Sequence, residues 1–258
     1  MPRNEHLTRV ELIDPVLAEK GWTDDLLREE KTPGGVDVLE GKPRKRKGRS
    51  DYLMCVPIST GKAPLAVSLI EAKAEDKLPS LGIQQARDYM KKYNVPFVFS
   101  TNGHLFTEYG EDTGQVVQNR PLSDFPTPLA IKARYEALRG FSLDADVSKA
   151  LFMPYKGGEA ARWYFQDAAI RASLEKMAKG KTRALLSLAT GTGKTVLAAQ
   201  LLWKIAQSGQ LKRALFVCDR DELRTQGMGK MHAVFGDNAK IVTSEDPARN
   251  AKILVATY

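Results

Sequence analysis

Cysteine is scarce: the chain of 258 residues carries two, Cys55 and Cys218, far apart and each inside an apolar strand-like run. Two buried free thiols in a reducing compartment are expected, and a disulfide-stapled scaffold is excluded. Long apolar runs are missing too. No stretch approaches the roughly 20 apolar residues that a membrane-spanning helix needs, and the N-terminus has no signal-peptide pattern. Internal repeats are absent, and nothing is of low complexity beyond one basic run. A soluble cytoplasmic protein is the expectation. What is present has a globular balance, 43% hydrophobic and 27% charged, enough for one large domain or two ordinary ones. A net charge of +8 favours a polyanionic partner but does not identify one.

The chain opens on a capping-box signal, Thr8-Arg-Val-Glu11, with Val10, Ile13, Val16 and Leu17 on one apolar side of the expected helix. Pro15 kinks that helix or starts a second turn, and Gly21 ends it. Two strand signals follow, Asp51–Val56 and Leu65–Lys73, around Ser59-Thr-Gly-Lys62. A helix over about 82–93 leads to a buried strand, Val95–Ser100, then to a type I′ turn at Asn102-Gly103 and the strand His104–Tyr109. This α/β segment is expected to close near residue 115. Pro121, Pro126 and Pro128 then interrupt regular structure before a short helix around Ala130–Leu138. From Gly157-Gly158 onward the pattern is helix Gln166–Ala178, strand Arg183–Leu188, helix Lys194–Gln207 and strand Arg213–Asp219. Such alternation indicates a parallel sheet built from βαβ units.

Asp51 lies ten residues before Gly61 and Glu71 ten after it. A symmetric antiparallel turn therefore puts the two carboxylates opposite each other, and Lys73 shares the face of Glu71 because side chains alternate along a strand. Two carboxylates and an ammonium at one sheet end suit metal-assisted phosphodiester hydrolysis. The carboxylates bind Mg²⁺, the metal polarises the phosphate and activates water, and the lysine orients that water or offsets developing charge. An exposed ion pair is the plainer reading of Glu-Ala-Lys taken alone. Gln85 and Tyr89 stand four apart, on one face of the next helix.

A phosphate-binding loop, Leu188-Ala-Thr-Gly-Thr-Gly-Lys-Thr195, sits between the strand signal Ala184–Leu188 and the helix signal Val196–Ile205. Thr190, Gly191, Thr192 and Gly193 turn backbone N–H groups toward a phosphate at a helix N-terminus. Lys194 reaches the β- and γ-phosphates of ATP, and the Thr195 hydroxyl ligates Mg²⁺. Leu188 stands where the strict motif has its first glycine. Only 63 residues follow Thr195, and they contain no Asp-Glu-x-His motif, arginine finger or second motor domain. ATP hydrolysis is accordingly expected of a longer parent protein and not of this stretch.

Asp51, Glu71-Ala-Lys73, the Gln85-Ala-Arg-Asp-Tyr89 helix and Val95-Pro-Phe-Val-Phe-Ser-Thr-Asn-Gly103 together resemble the PD-(D/E)xK nuclease domain of type I restriction endonuclease motor (R) subunits. Ser50 stands where the fold's name has proline. The phosphate loop resembles that of superfamily 2 helicases and translocases. So do Arg162-Trp-Tyr-Phe-Gln166 with Asp-Ala-Ala-Ile170, Ala214–Gln226 as motif Ia, and Ile253–Tyr258.

The resemblance implies an α/β chain with a restriction-endonuclease-like mixed sheet flanked by helices. An incomplete RecA-like parallel α/β domain follows it. Its implied divisions are a nuclease domain at 1–120, a linker with a short helix at 121–156, and a truncated ATP-binding domain at 157–258. Asp51 and Glu71 would hold Mg²⁺, Lys73 would act on water, and Gln85 and Tyr89 would support the site or position DNA. Gln166 would recognise adenine. Glu11 is a further candidate by analogy with an acidic first-helix residue, although helix capping explains it equally well.

The run Lys42-Pro-Arg-Lys-Arg-Lys-Gly-Arg49 places Arg44, Lys45, Arg46, Lys47 and Arg49 beside Asp51 as expected contacts to the backbone of double-stranded DNA. The implied partners are the specificity and methyltransferase subunits of a restriction-modification complex. Two other readings use the same residues: a superfamily 2 translocase or remodeller whose N-terminal domain only grips DNA, and a truncated, inactive gene product.

Overall fold

The computed structural model describes residues 1–29, 36–39, 42–45, 51–58, 63–157 and 164–258. Its contacts form two units, Met1–Asp144 with Trp163–Ala168, and Ala145–Arg162 with Ala169–Tyr258. The stretch 121–156, expected as a linker, is divided between them.

The first unit begins with α1 (Glu5–Thr8), a π-helical turn (Arg9–Ile13) and α2 (Asp14–Glu19), which run on as one helix. Its cap is Asn4, whose side chain accepts from the Leu7 N–H at 2.9 Å, so the expected capping box at Thr8 does not form. Thr8 lies inside the helix and donates to the Asn4 carbonyl at 2.8 Å, while Glu11 accepts from Arg3 Nε at 2.6 Å. An earlier Asx residue supplied the same oxygen, and the arginine took the glutamate. The widened turn immediately precedes Pro15, whose ring would clash with the carbonyl four residues back in a regular α-helix. Gly21 takes φ +84° and ends the helix. Arg3 anchors the N-terminus, donating to Glu75 through its backbone N–H at 2.8 Å and its Nη1 at 3.1 Å.

Short strands β1 (Leu27–Glu29), β2 (Val36–Leu39) and β3 (Lys42–Lys45) lead into β4 (Tyr52–Val56) and β5 (Leu65–Ala72). Helix α3 (Ser80–Tyr93) crosses to β6 (Phe97–Thr101), followed by β7 (Leu105–Gly110), β8 (Val116–Pro121) and α4 (Pro128–Arg139). The main sheet has the order β1-β4-β5-β6-β7-β8. Only β5 and β6 run parallel, which is why a helix must join them. Strand β8 carries the pairing beyond residue 115, where the segment was expected to close; exposed side chains concealed it from apolar patterning.

One sheet face packs Leu53, Leu69 and Val98 against Ala86, Tyr89 and Met90 of α3. On the other, Phe99, Phe106 and Phe125 pack edge to face, 4.8 to 6.1 Å between ring centroids. The Asn102-Gly103 turn is not type I′. Gly103 alone has positive φ, +88°, and the Asn102 side chain accepts from the N–H groups of His104 and Leu105. That side-chain turn removes the need for a left-handed asparagine.

The second unit holds α5 (Lys149–Phe152), most of α6 (Tyr164–Ala178), α7 (Lys194–Gln207), β9 (Ala214–Cys218), α8 (Asp221–Phe235), β10 (Ala239–Ile241) and β11 (Ile253–Thr257). Its three strands are parallel in the order β10-β11-β9. Ala199, Met231, Ala239, Ile253 and Val255 form its core. The expected strand Arg183–Leu188 is not formed. It pairs with neither edge of that sheet, and Leu185 is 90% exposed. Apolar composition cannot replace a hydrogen-bonding neighbour. Leu215 and Val217 of β9 are correspondingly exposed. Cys55 is buried as expected, whereas Cys218 is half-buried; both are free. Among the described residues no helix is long and apolar enough to cross a membrane.

Gly103 fixes how the first helix meets the β6–β7 turn. A Cβ there would stand 2.6 Å from Leu12 Cβ and 3.2 Å from Thr8 Cγ2. Gly103→Ala combines that clash with a positive φ and is expected to cost about 2–4 kcal/mol in urea unfolding. An unchanged midpoint would contradict this packing.

Candidate active site

The β4–β5 pair places the first constellation. Tyr52 stands opposite Ile70, a register whose next pair is Asp51 and Glu71. A bulge between Met54 and Cys55 shifts only the turn-side half of the ladder. Asp51 Oδ2 accepts from the Ala72 N–H at 2.6 Å, which ties the carboxylate to the end of β5. Lys73 Nζ donates to Glu71 Oε1 at 2.8 Å and to Gln85 Oε1 at 3.3 Å, and Gln85 Nε2 donates to the Tyr89 hydroxyl at 3.4 Å. The structure therefore links Glu71, Lys73, Gln85 and Tyr89 in one chain of contacts between the sheet end and α3, with Asp51 held beside it on the Ala72 N–H and close enough for its charge to act on Glu71. Gly82 makes this approach possible, because a Cβ there would stand 2.7 Å from Lys73 Cε and would overlap Ser100 Oγ.

Burial dominates the electrostatics. Asp51 and Glu71 are 8% and 3% exposed. Desolvation pushes the Glu71 carboxyl up to about 7, with the Lys73 hydrogen bond opposing and the Asp51 charge adding to the rise. Asp51 is raised for the same first reason, against the Ala72 N–H and the Arg9 charge. Burial also raises the Tyr89 hydroxyl.

Glu11 is not in this cluster; it is exposed and paired to Arg3. The first-helix carboxylate whose charge reaches Asp51 and Glu71 is Glu5. Arg9 also belongs to the site, with Nη1 3.6 Å from Asp51 Oδ1. Neither residue carries a local motif, so only the course of the helix could reveal them. In the basic run, Arg44 and Lys45 fall on β3, where the backbone alone is described, and Arg46, Lys47 and Arg49 lie outside the described residues.

Among the described residues no three His, Cys, Asp or Glu side chains form a ready metal cluster. Two carboxylates nevertheless suit a cation such as Mg²⁺, which keeps several of its own waters. The donor set has a specific opening for it: Glu71 Oε2 is buried without a hydrogen-bond partner, as is Ser100 Oγ across the strand pair. A buried carboxylate oxygen left unsatisfied is costly, and a hard cation would satisfy it.

The second constellation is the loop before α7. Gly191 and Gly193 take φ +81° and +79°, left-handed values that glycine alone adopts cheaply, and Gly193 caps the helix. The Thr192 hydroxyl donates to the Ala189 carbonyl at 2.7 Å. Lys194 Nζ folds back onto the Leu188 and Ala189 carbonyls at 3.2 and 3.0 Å. Thr190 is exposed and Thr195 half-buried at the helix start. The loop thus exposes a turn and a lysine at a helix N-terminus, the arrangement that binds phosphate. Gln166 is buried on α6 and is grouped with the first unit, not with the loop.

Residues 162–258 match the family model described as "Type III restriction enzyme, res subunit". The EcoAI type I restriction enzyme endonuclease subunit of Escherichia coli is 31% identical over 255 residues, covering 94% of this chain and 31% of that protein. The EcoKI endonuclease subunit of Escherichia coli strain K12 is 29% identical over 187 residues, 65% of this chain and 15% of its own. A fragment structure assigned to an HsdR subunit of a type I restriction enzyme from Vibrio vulnificus YJ016 superposes with a TM-score of 0.77 at 30% identity. It covers 100% of this chain and 47% of that one. The fold is thus a mixed α/β one matching that of a restriction-enzyme subunit fragment, with a helicase-like segment over 162–258. Within that fold class the chain is a homologue of the type I restriction enzyme endonuclease (HsdR) subunits, spanning about a third of the first curated relative's length.

The raised Glu71 carboxyl makes a test available without metal. Between the ordinary 4.5 and the folded value of about 7, the folded chain keeps a proton that the unfolded chain releases. Stability therefore falls as pH rises through that window, by on the order of 3 kcal/mol in full above it. Glu71→Gln in chelator-treated buffer is expected to stabilise the chain by about 1–3 kcal/mol at pH 8 and by almost nothing at pH 4.5. A gain equal at both pH values, measured by urea unfolding, would contradict the assignment of the strain to this carboxylate.

Proposed function

We propose that the first unit is the Mg²⁺-dependent DNA-cleaving domain of a type I restriction enzyme endonuclease subunit, coupled in the full-length protein to ATP-driven translocation by the motor of which the second unit is part. The observation that carries this reading is the convergence of Asp51, Glu71 and Lys73, with one Glu71 oxygen held by the lysine and the other buried without a partner. Asp51 and Glu71 would hold the cation, which supplies Lewis-acid polarisation of a scissile phosphate. Lys73, steadied by Gln85 and through it by Tyr89, presents an N–H toward attacking water or the charge that develops on phosphate oxygen.

A cation held by Asp51 and Glu71 would act on the phosphate and not on the bases, so the cut would be backbone-directed and sequence-independent on double-stranded DNA. Target choice and protective methylation then fall to separate specificity and methyltransferase subunits, and the assembly works in the cytoplasm. In the second unit, Thr190–Thr195 would bind ATP phosphates and Thr195 a second Mg²⁺. The homology to type I endonuclease subunits and the matched helicase-like model support both assignments. The 1–120, 121–156 and 157–258 divisions remain our proposed functional boundaries.

In the full-length subunit assembled with its partners, Asp51→Ala and Lys73→Ala are each expected to lower DNA cleavage by about 100-fold or more while ATPase activity stays within about twofold of the parent. Lys194→Ala is expected to abolish ATPase and, with it, translocation-dependent cleavage. Cleavage that survives both Asp51→Ala and Lys73→Ala would show instead a translocase whose N-terminal domain only grips DNA.

A further inference from the structure

The N-terminal helix holds a device that neither the carboxylate pair nor the phosphate loop explains. Arg9 opens the π-helical turn, and the Asp14 N–H closes it by donating to the Arg9 carbonyl. Residues five apart on an α-helix diverge by about 140° around the axis. A π-turn, whose hydrogen bond joins i and i+5, brings them onto one side. Here those residues are Arg9 and Asp14, and both meet the Tyr52 hydroxyl. Arg9 Nε donates to it at 3.2 Å, and it donates to Asp14 Oδ1 at 2.5 Å.

The guanidinium also stacks on the Tyr52 ring, 4.7 Å from the centroid. So held, it presents Nη1 to Asp51 Oδ1 at 3.6 Å, with the two side chains 12% and 11% exposed. The other Asp51 oxygen is already taken by the Ala72 N–H. The carboxylate is therefore gripped from two directions, by the backbone of β5 and by the first helix. An arginine serving only to staple the helix to the sheet needs no more than Tyr52; the approach to Asp51 goes beyond that.

We infer that Arg9 is a positioning residue: the π-turn aims it, Tyr52, itself held by Asp14, clamps it, and it sets the orientation in which Asp51 meets a divalent cation. The inference rests on the metal-dependent nuclease reading above. Arginine fits the task better than lysine because its planar fork serves the tyrosine oxygen and the carboxylate at once. Partners of this kind, one step behind a metal ligand, control ligand orientation and hence affinity.

The test is calorimetric titration of the 258-residue chain with MnCl₂, run beside metal-free thermal melts. Arg9→Gln is expected to weaken Mn²⁺ binding by about tenfold, and Tyr52→Phe, which keeps the ring but removes the clamping hydroxyl, by about two- to threefold. Arg9→Lys, which keeps the charge without the fork, should fall between the parent and Arg9→Gln. In the full-length assembly, Arg9→Gln should lower cleavage at saturating Mg²⁺ while ATPase is unchanged. Parental Mn²⁺ affinity in folded Arg9→Gln overturns the inference. So does tighter binding, which would mark Arg9 as a competing cation. Should Arg9→Gln fail to fold, Tyr52→Phe and Arg9→Lys decide by the same criterion. Asp51→Ala and Glu71→Ala serve as separate controls: if both bind Mn²⁺ like the parent, the nuclease reading itself falls.

Discussion

Burying Glu71 is the constraint around which the first unit is arranged. The carboxylate sits at the end of a central strand, 3% exposed, with a lysine on one oxygen and no hydrogen-bond partner on the other. Desolvation opposes its charge, and the neighbouring Asp51 makes the opposition worse. A protein that sought stability alone would replace such a group. Holding it there takes a parallel crossover that lays α3 against the sheet, a glycine at position 82 that lets Lys73 pass, and Gln85 to steady the lysine.

The N-terminal segment and its helix complete the arrangement, reaching Glu75 past β5, Tyr52 and Asp51 at β4, and the β6–β7 turn at Gly103. Arg3 ties its start to Glu75, two residues past Lys73, and holds that carboxyl down at about 2, first through its backbone N–H and then with His104 adding a hydrogen bond. Arg9 ties its middle to Tyr52 and Asp51. Two arginines thus tie this segment to the sheet, Arg3 at Glu75 and Arg9 at Tyr52 and Asp51. In the second unit two left-handed glycines stand before α7, yet the strand expected to lead into them is not formed and Leu215 and Val217 of β9 are exposed. The parallel sheet there is a partial one.

Strand periodicity made the central cluster legible in advance. Side chains alternate strictly, and the expected register set Asp51 against Glu71; the turn-side pairs, Cys55 with Ala66 and Val56 with Leu65, are one residue out of symmetry about Gly61, and the bulge at Met54/Cys55 restores the expected register for the carboxylate pair. The parallel β5–α3–β6 unit and the glycine-rich loop were legible for similar reasons, since each depends on short-range spacing. Other features depended on choices that a linear reading cannot rank. Asn4 outcompeted Thr8 as cap, and Arg3 claimed Glu11. Asn102 used its side chain where a left-handed backbone was expected. Arg183–Leu188 has strand composition without an edge to join. Arg9 stayed hidden because its position depends on one widened helical turn.

The central claim is that Asp51 and the unpartnered Glu71 oxygen hold a divalent cation between them. Anomalous diffraction from crystals of this chain soaked in MnCl₂ tests it most directly. The account predicts a single strong peak within coordination distance of Asp51 and Glu71 that disappears in the Glu71→Gln variant. A peak elsewhere on the first unit, or none at that position under saturating Mn²⁺, would contradict it.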